Sequence, residues 1–275
     1  LVVWATTVGA VSGPNLITPG EAVGSFLGLP ELAGPFVFTL AAQTLAAVVY
    51  FVGLRPDPLL LARELARDPN SAGAKSLGPS VDNVVVARTA IISIALSHAT
   101  MVAVMAMTPV HLVDHGASLV IVGFTISLHI AGMYALAPVF GILADKVGRK
   151  STILFGQVML AMSLLATGFG SESEGWVITG LILLGTGWSA ATVAGSALLT
   201  ESTPGDRRTK IQGLSDVVMS AAGATGGALS GGGLLLLGYS GLSLVSLVLV
   251  AAVTLRVVLA REKSSLDGAV KGRSA

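Results

Sequence analysis

The chain has 275 residues, of which 53% are apolar and 11% charged, with a net charge of +1 and no cysteine. Seven stretches, 1–20, 32–54, 89–113, 116–144, 151–171, 175–200 and 217–255, contain no Asp, Glu, Lys or Arg. Surface helices of a water-soluble domain need a charged face, so soluble, disordered, collagen-like and coiled-coil proteins are excluded, as are disulfides, thiolate metal sites and a basic nucleic-acid-binding stripe.

About 20 apolar residues cross a bilayer, and with no water to satisfy the backbone each crossing must be a helix. The expected fold class is therefore an all-α polytopic membrane protein. The first span is 1–20; it opens on Leu1 inside an apolar run with no charged leader, unlike a signal peptide. The second is 32–54. Next, Asp57 and Pro58 are suited to start a short helix that Pro69 stops. Leu61 and Leu65 share a face of it flanked by Arg63 and Arg67, as on the inner leaflet. Residues 69–80 read as flexible linker. Four spans follow, at 89–113, 116–144, 151–171 and 175–200. The last apolar run is too long for one helix, and Gly238-Tyr239-Ser240-Gly241 is a turn signal. It divides into spans of about 210–236 and 242–259, for about eight in all.

The basic residues test this count. Read alternately, one side receives the loops 55–88, 145–150 and 201–210 and the tail from Arg256, which together hold every Lys and Arg of the chain. The opposite loops hold Glu21, Glu31, Asp114, Glu172 and Glu174 and no base. By the positive-inside rule the basic side is cytoplasmic, with both chain ends on it. Trp4, Tyr50, Trp176 and Tyr239 fall near span ends, where interfacial anchors sit. Small residues must bring the helices together; Gly223, Gly227 and Gly231 recur every fourth residue, and Gly185, Gly187, Ala190, Ala191, Ala194 and Gly195 cluster in one span.

Between the fourth and fifth spans lies Gly141-Ile-Leu-Ala-Asp145-Lys-Val-Gly148-Arg149-Lys150. Gly141 suits a tight helix contact. Asp145 is expected at the start of the next helix, accepting its free N–H groups. Gly148 permits the reversal, and Arg149 and Lys150 can meet Asp145 or anionic lipid. The pattern G-x-x-x-D-x-x-G-R-K resembles the cytoplasmic loop motif of the major facilitator superfamily (MFS). The resemblance covers essentially the whole chain and implies two six-helix halves joined by a cytoplasmic loop. Residues 1–54 would be the last two helices of the first half, 55–86 the central linker with its amphipathic helix, 87–260 the second half and 261–275 a cytoplasmic tail. About four helices would then precede Leu1, as the twelve-helix family architecture implies, and the eight-span chain alone would be inactive. Gly9-Ala-Val-Ser-Gly13-Pro14 resembles the core of the antiporter motif of proton-driven exporters in that family, although Ile17-Thr18-Pro19 stands where the family continues to a glycine pair. Pro14 should bend its helix. Gly9 and Gly13 also echo Gly223 and Gly227, and Gly28-Leu-Pro echoes Gly238-Tyr-Ser, as weak internal repeats.

Ionisable groups deep in a span are functional candidates. His98 and His129 both fall near mid-span. His98 shares a face with Met101 and Met105, and His129 with Thr125 and Met133, so a Met-lined cavity with a titratable group is one reading. A neutral histidine bonded to Ser, Thr or a carbonyl is the other. Asp216, one to two turns inside the seventh span, reads as a proton site or as a carboxylate paired to Arg207, Arg208 and Lys210. Pro138 should kink its helix, and Gln43, Gln157 and Trp188 either line a cavity or pack.

The expected function is a secondary active transporter of the bacterial plasma membrane, moving a small amphipathic solute by alternating access in proton-coupled efflux. It is expected to be monomeric when full length, to act on solute, protons and lipid, and to need no cofactor, metal or catalytic set. One alternative is a membrane-embedded metal-dependent enzyme using the outward His111-Leu-Val-Asp114-His115 cluster. Another is a non-transporting scaffold. The topology predicts that an impermeant amine reagent on intact cells modifies neither Lys75 nor Lys210; modification of either from outside overturns the threading.

Overall fold

The computed structural model describes residues 2–30, 32–57, 60–61 and 82–271, with no strand among them. In chain order the helices are α1 (Val2–Ser12), α2 (Ile17–Phe26), α3 (Pro35–Gly53), α4 (Val84–Asp114), α5 (Leu119–Tyr134), α6 (Ala137–Val147), α7 (Arg149–Phe169), α8 (Glu174–Glu201) and α9 (Gly205–Lys271). They form two compact units, residues 15–80 and residues 1–14 with 81–275.

In the smaller unit α2 packs on α3 through backbone. A Cβ built on Gly20 would fall 2.6 Å from the Pro35 nitrogen, and one on Gly24 would fall 2.8 Å from Gly34 Cα. The apolar side chains of α3, Phe36, Leu40 and Phe51 among them, stay exposed. The Asp57 cap is present, its carboxylate accepting from the Leu60 N–H at 3.3 Å. The rest of the expected amphipathic helix and the 69–80 linker lie outside the described residues.

Six helical segments among the described residues are long and apolar enough to cross a membrane, against the eight expected. Two local events account for the difference. The expected first span is interrupted by a 3-10 turn, Gly13–Leu16, that separates α1 from α2; Pro14 has no N–H to continue the ladder. The expected seventh and eighth spans are one apolar segment, Arg207–Ala260, in which Gly238 alone leaves helical geometry at φ 68, ψ 176.

The chain reverses at Gly238. The limb before it runs parallel to α4: Arg207 ion-pairs with Asp82, Gly223 abuts His98 and Gly227 abuts Val102. The limb after it runs antiparallel to α7. Ser240 Oγ lies 2.8 Å from Ser171 Oγ, the Thr167 hydroxyl donates to Ser243 at 3.0 Å, and Lys150 Nζ donates to the Ala260 carbonyl at 3.3 Å. Bases and their partners therefore gather at one end of the bundle. The other end holds Tyr239, His111, His115 and Glu172.

Close approach without side chains holds the larger unit together, as expected where lipid supplies no hydrophobic drive. The tightest reciprocal contact joins α7 and α8. A Cβ on Gly156 would lie 2.7 Å from the Gly187 carbonyl oxygen, and one on Gly187 would lie 2.8 Å from that of Gly156. Gly226 serves similarly against α4, where a Cβ would fall 2.7 Å from the Ala99 carbonyl oxygen, but a Cβ on Gly231 would meet nothing within 4 Å. Buried hydroxyls of Thr89, Ser93, Thr108 and Thr125 donate to the carbonyl four residues back, which satisfies them inside their own helix. Two apolar clusters fill the unit, one around Leu160, Leu181 and Leu184 and one around Ile153, Ala194 and Val253.

Three expectations change here. Tyr239 is no interfacial anchor: it is 3% exposed, its hydroxyl 2.9 Å from Thr108 Oγ1. Tyr50 and Trp176 are exposed as expected, while the Trp4 side chain is outside the described residues. Pro138 enters at the first turn of α6, and the helix before it ends at Tyr134, a break rather than a kink. Gly141 makes no tight contact, since a Cβ there would meet nothing within 4 Å.

Gly156→Leu and Gly187→Leu should each lower stability by about 1–3 kcal/mol through overpacking, whereas Gly141→Ala should be neutral or stabilise by up to about 1 kcal/mol through helix propensity. Thermal midpoints in detergent, followed by tryptophan fluorescence, check all three.

Candidate functional site

At the basic end, α6 finishes with Asp145 in its last turn, Gly148 turns the chain with φ 103, and Arg149 opens α7. An L side chain rarely adopts that φ, so glycine is required here. Asp145 thus precedes the break instead of capping the next helix, and its carboxylate faces the Arg149 guanidinium one turn on. The same guanidinium donates to Glu201 Oε1 from Nε at 3.0 Å and from the terminal nitrogen at 2.7 Å. Glu201 is the last residue of α8. One guanidinium therefore ties three helix ends together. Its side chain is only 20% exposed, against 54% for Glu201 and 68% for Asp145.

Glu201, then Asp145, holds the Arg149 guanidinium above its ordinary pKa. A cation with a raised folded-state pKa stabilises fully below its unfolded value and loses that contribution only as pH rises past the folded one. For arginine that means strong alkali, so the cation is permanent. The fork geometry matters as well, because lysine would present a point charge to one carboxylate at a time.

Mid-bundle, Trp188 Nε1 donates to His98 Nδ1 at 2.9 Å. An accepting Nδ1 places the proton of the neutral ring on Nε2. Trp188 also meets Tyr134 edge-on, ring centroids 6.0 Å apart. The His98 ring edge lies over Gly223, where a Cβ would fall 2.6 Å from Cδ2. Residues of α4, α5, α8 and α9 thus converge on an aromatic cluster that leaves His98 and Tyr134 half-buried.

The other intramembrane candidates are placed differently. His129 is fully buried and its Nδ1 donates to the Leu181 carbonyl at 2.8 Å, while its Nε2 is buried with no hydrogen-bond partner among the described residues. Met101 and Met133 are buried in the apolar core and Met105 packs against it, so the three methionines do not line an open cavity. Thr125 bonds within its own helix. Gln157 Nε2 donates to Ser97 Oγ at 2.9 Å, and Gln43 is exposed on α3. Asp216 is exposed and accepts from Gln212 at 3.4 Å. Its expected pairing with Arg207 gives way to that of Arg207 with Asp82. A Cβ on Gly9 or Gly13 would meet nothing within 4 Å, so the α1 motif contributes its helix break and no tight glycine contact.

The metal-enzyme reading meets occupied nitrogens. His111 Nε2 donates to the Ser171 carbonyl at 2.9 Å, and His115 Nδ1 donates to the His111 carbonyl at 2.8 Å. No group of three metal-ligating side chains gathers among the described residues.

Sequence reasoning missed Glu201, Asp82 and Tyr134. The available signal for Glu201 was its chemistry: like Asp145, it is a carboxylate at the end of a span on the side that carries Arg149.

Residues 89–274 match the family model described as Major Facilitator Superfamily. Among curated proteins the chain is 42% identical over 82% of its length to the uncharacterized MFS-type transporter YddS of Bacillus subtilis, covering 53% of that protein. It is 40% identical over 82% of its length to the uncharacterized MFS-type transporter YdeG of Bacillus subtilis, covering 54% of it. It is 27% identical over 77% of its length to the riboflavin transporter RfnT of Brucella anthropi, covering 51% of it. The chain thus spans about half the length of these relatives. No solved structure matches.

Replacing Glu201 by Gln or Asp145 by Asn should each cost about 0.2–1 kcal/mol, as for partly exposed pairs. Arg149→Lys should cost more than either, because the fork is lost. Unfolding free energies in mixed micelles, arranged as a double-mutant cycle, measure these values.

Proposed function

The chain belongs to the major facilitator superfamily, and we propose that it forms the last two helices of a first half, a central linker at 55–86 and the whole second half of a proton-coupled exporter in the bacterial plasma membrane. In this reading the basic end and both chain ends are cytoplasmic. The Arg149 clasp is the observation that carries it. A single fork that holds α6, α7 and α8 together at one end is a discrete bond whose making and breaking can bias two arrangements of a bundle. The break at Gly13–Leu16 gives the first half a place to flex.

The substrate is a small, planar, amphipathic solute that meets the His98–Trp188–Tyr134 cluster. Supporting this are the aromatic edge and face offered there, the Nε2 donor of His98, and the similarity to a riboflavin transporter. His98 and His129 are the candidates for proton coupling, because titratable groups this deep in a membrane protein mark ion pathways.

Transport by the complete twelve-helix protein in proteoliposomes with an imposed pH gradient tests the reading. A clasp of about 1–2 kcal/mol shifts a two-state equilibrium about 5–30-fold, so Arg149→Ala should cut turnover by that order and Arg149→Lys should restore only part of it. His98→Ala should weaken solute binding and flatten the pH profile. Parent-like transport across pH by both His98→Ala and His129→Ala removes the coupling assignment, and parent-like turnover by Arg149→Ala removes the clasp.

A further inference from the structure

The acidic end carries a second cross-helix contact, chemically unlike the arginine clasp. His115 closes α4, and its ring folds back so that Nδ1 lies 2.8 Å from the His111 carbonyl oxygen. A carbonyl oxygen only accepts, so Nδ1 must hold the proton. In the neutral imidazole the other nitrogen then presents a bare lone pair. That nitrogen, Nε2, points at Glu172 Oε2 across 3.6 Å. Two acceptors facing one another form no bond. Adding one proton to Nε2 makes the imidazole a cation with an N–H aimed at a carboxylate, an ion pair already in position. The backbone bond thereby assigns the tautomer, and the tautomer makes the contact conditional on a proton.

We propose that His115 and Glu172 form a proton-binding clasp that closes the turn between α7 and α8 onto the end of α4 as the surrounding pH falls. The turn is already held at the neighbouring residue, where the Ser171 carbonyl accepts from His111 and the Ser171 hydroxyl meets Ser240 of α9. Protonation therefore adds a second bond to a segment anchored on two elements. The groups around the site work in one direction with a single opponent. Asp114 on α4, Glu172 in the turn and Glu174 at the start of α8 are carboxylates, and the loops of this end carry no lysine or arginine. Tyr239 of α9 stacks on His111 at 4.2 Å between centroids. The His111 ring, 4.1 Å from that of His115, is the opponent: a charge on one imidazole disfavours a charge on the other. At 41% exposure for the imidazole and 85% for the carboxylate, solvent reaches the site and exchanges the proton quickly.

Closure strengthens as pH drops because the pair exists only in the protonated form; it is lost as pH rises through the imidazole range. If the acidic end faces outward, as proposed above, the clasp reads the outside medium. In nanodiscs both faces see the same buffer, so the test below does not depend on the sidedness or on the transport assignment.

The chain has no cysteine, so a nitroxide attached at Ser173→Cys reports the turn alone. Its continuous-wave spectrum in nanodiscs should shift toward the immobilised component between about pH 8 and about pH 5, the interval over which imidazoles charge. The mobile-to-immobile ratio should fall about two- to fivefold, the size of a partly exposed ion pair. Glu172→Gln and His115→Asn should each abolish the pH dependence and leave the turn mobile throughout, while Glu174→Gln keeps it. His115→Lys, permanently charged over this range, should immobilise the turn at both extremes, which separates loss of the pair from misfolding. A parent spectrum invariant with pH overturns the proposal. So does a pH response that survives in both Glu172→Gln and His115→Asn.

Discussion

The lipid interior offers no hydrogen bonds, and the structure is largely an answer to that constraint. Each buried polar atom must find its partner inside the protein or remain costly. Hydroxyls bond back into their own helices, and a few cross between helices, as in Thr167 to Ser243 and Gln157 to Ser97. Because this costs no side-chain bulk, serine and threonine can sit where two backbones nearly touch. The Gly156–Gly187 contact of α7 and α8 belongs to the same solution: with no hydrophobic force between spans, dispersion over a close interface supplies the attraction.

The constraint also drives charge to the two ends, and the ends differ in kind. At the basic end the charged contacts among the described residues rest on permanent cations: Arg149 with Asp145 and Glu201, Arg207 with Asp82, and Lys150 on the Ala260 carbonyl. At the acidic end the potential cations among the described residues are His111, bonded to the Ser171 carbonyl, and His115, facing Glu172. The Lys and Arg contacts gathered at one end of the larger unit are thus also a segregation of electrostatic chemistry.

Much of the fold was legible because its signals are long and redundant. Four apolar runs appear as single helices within a few residues of their expected bounds, the run 116–144 appears as α5 and α6, and Gly238 within its turn signal reverses the chain. Composition could not show that Pro14 opens a full 3-10 turn, since a proline signals a lost hydrogen bond but not the extent of the rearrangement. Sites were less legible for a related reason. The loop motif pointed to Asp145 and Arg149, yet Glu201 lies 52 residues from Arg149 and only helix packing brings them together. Helical spacing puts Met101 and Met105 on the His98 face, but periodicity cannot say whether such a face looks into a cavity or a core, and here Met101 is core and Met105 packs against it. Histidine was ambiguous in the same way. His129 has its carbonyl partner, while its second nitrogen remains buried without one.

The contrast between the ends has a mechanical consequence. A guanidinium between two carboxylates stays charged at any physiological pH, so no pH change across the imidazole's protonation range releases the basic-end contact. A competing arrangement of helices, with its own compensating bonds, can do so. An imidazole facing one carboxylate is weaker and more exposed, and its strength follows proton availability. A bundle built this way has one end whose contacts keep their charge across physiological pH and another whose contact follows it. Under the proposed proton coupling, that asymmetry assigns a direction: protons tighten the acidic end without loosening the basic one. The bias on the equilibrium between arrangements then has a single sign, since a ligand shifts populations only through its differential affinity for the two states.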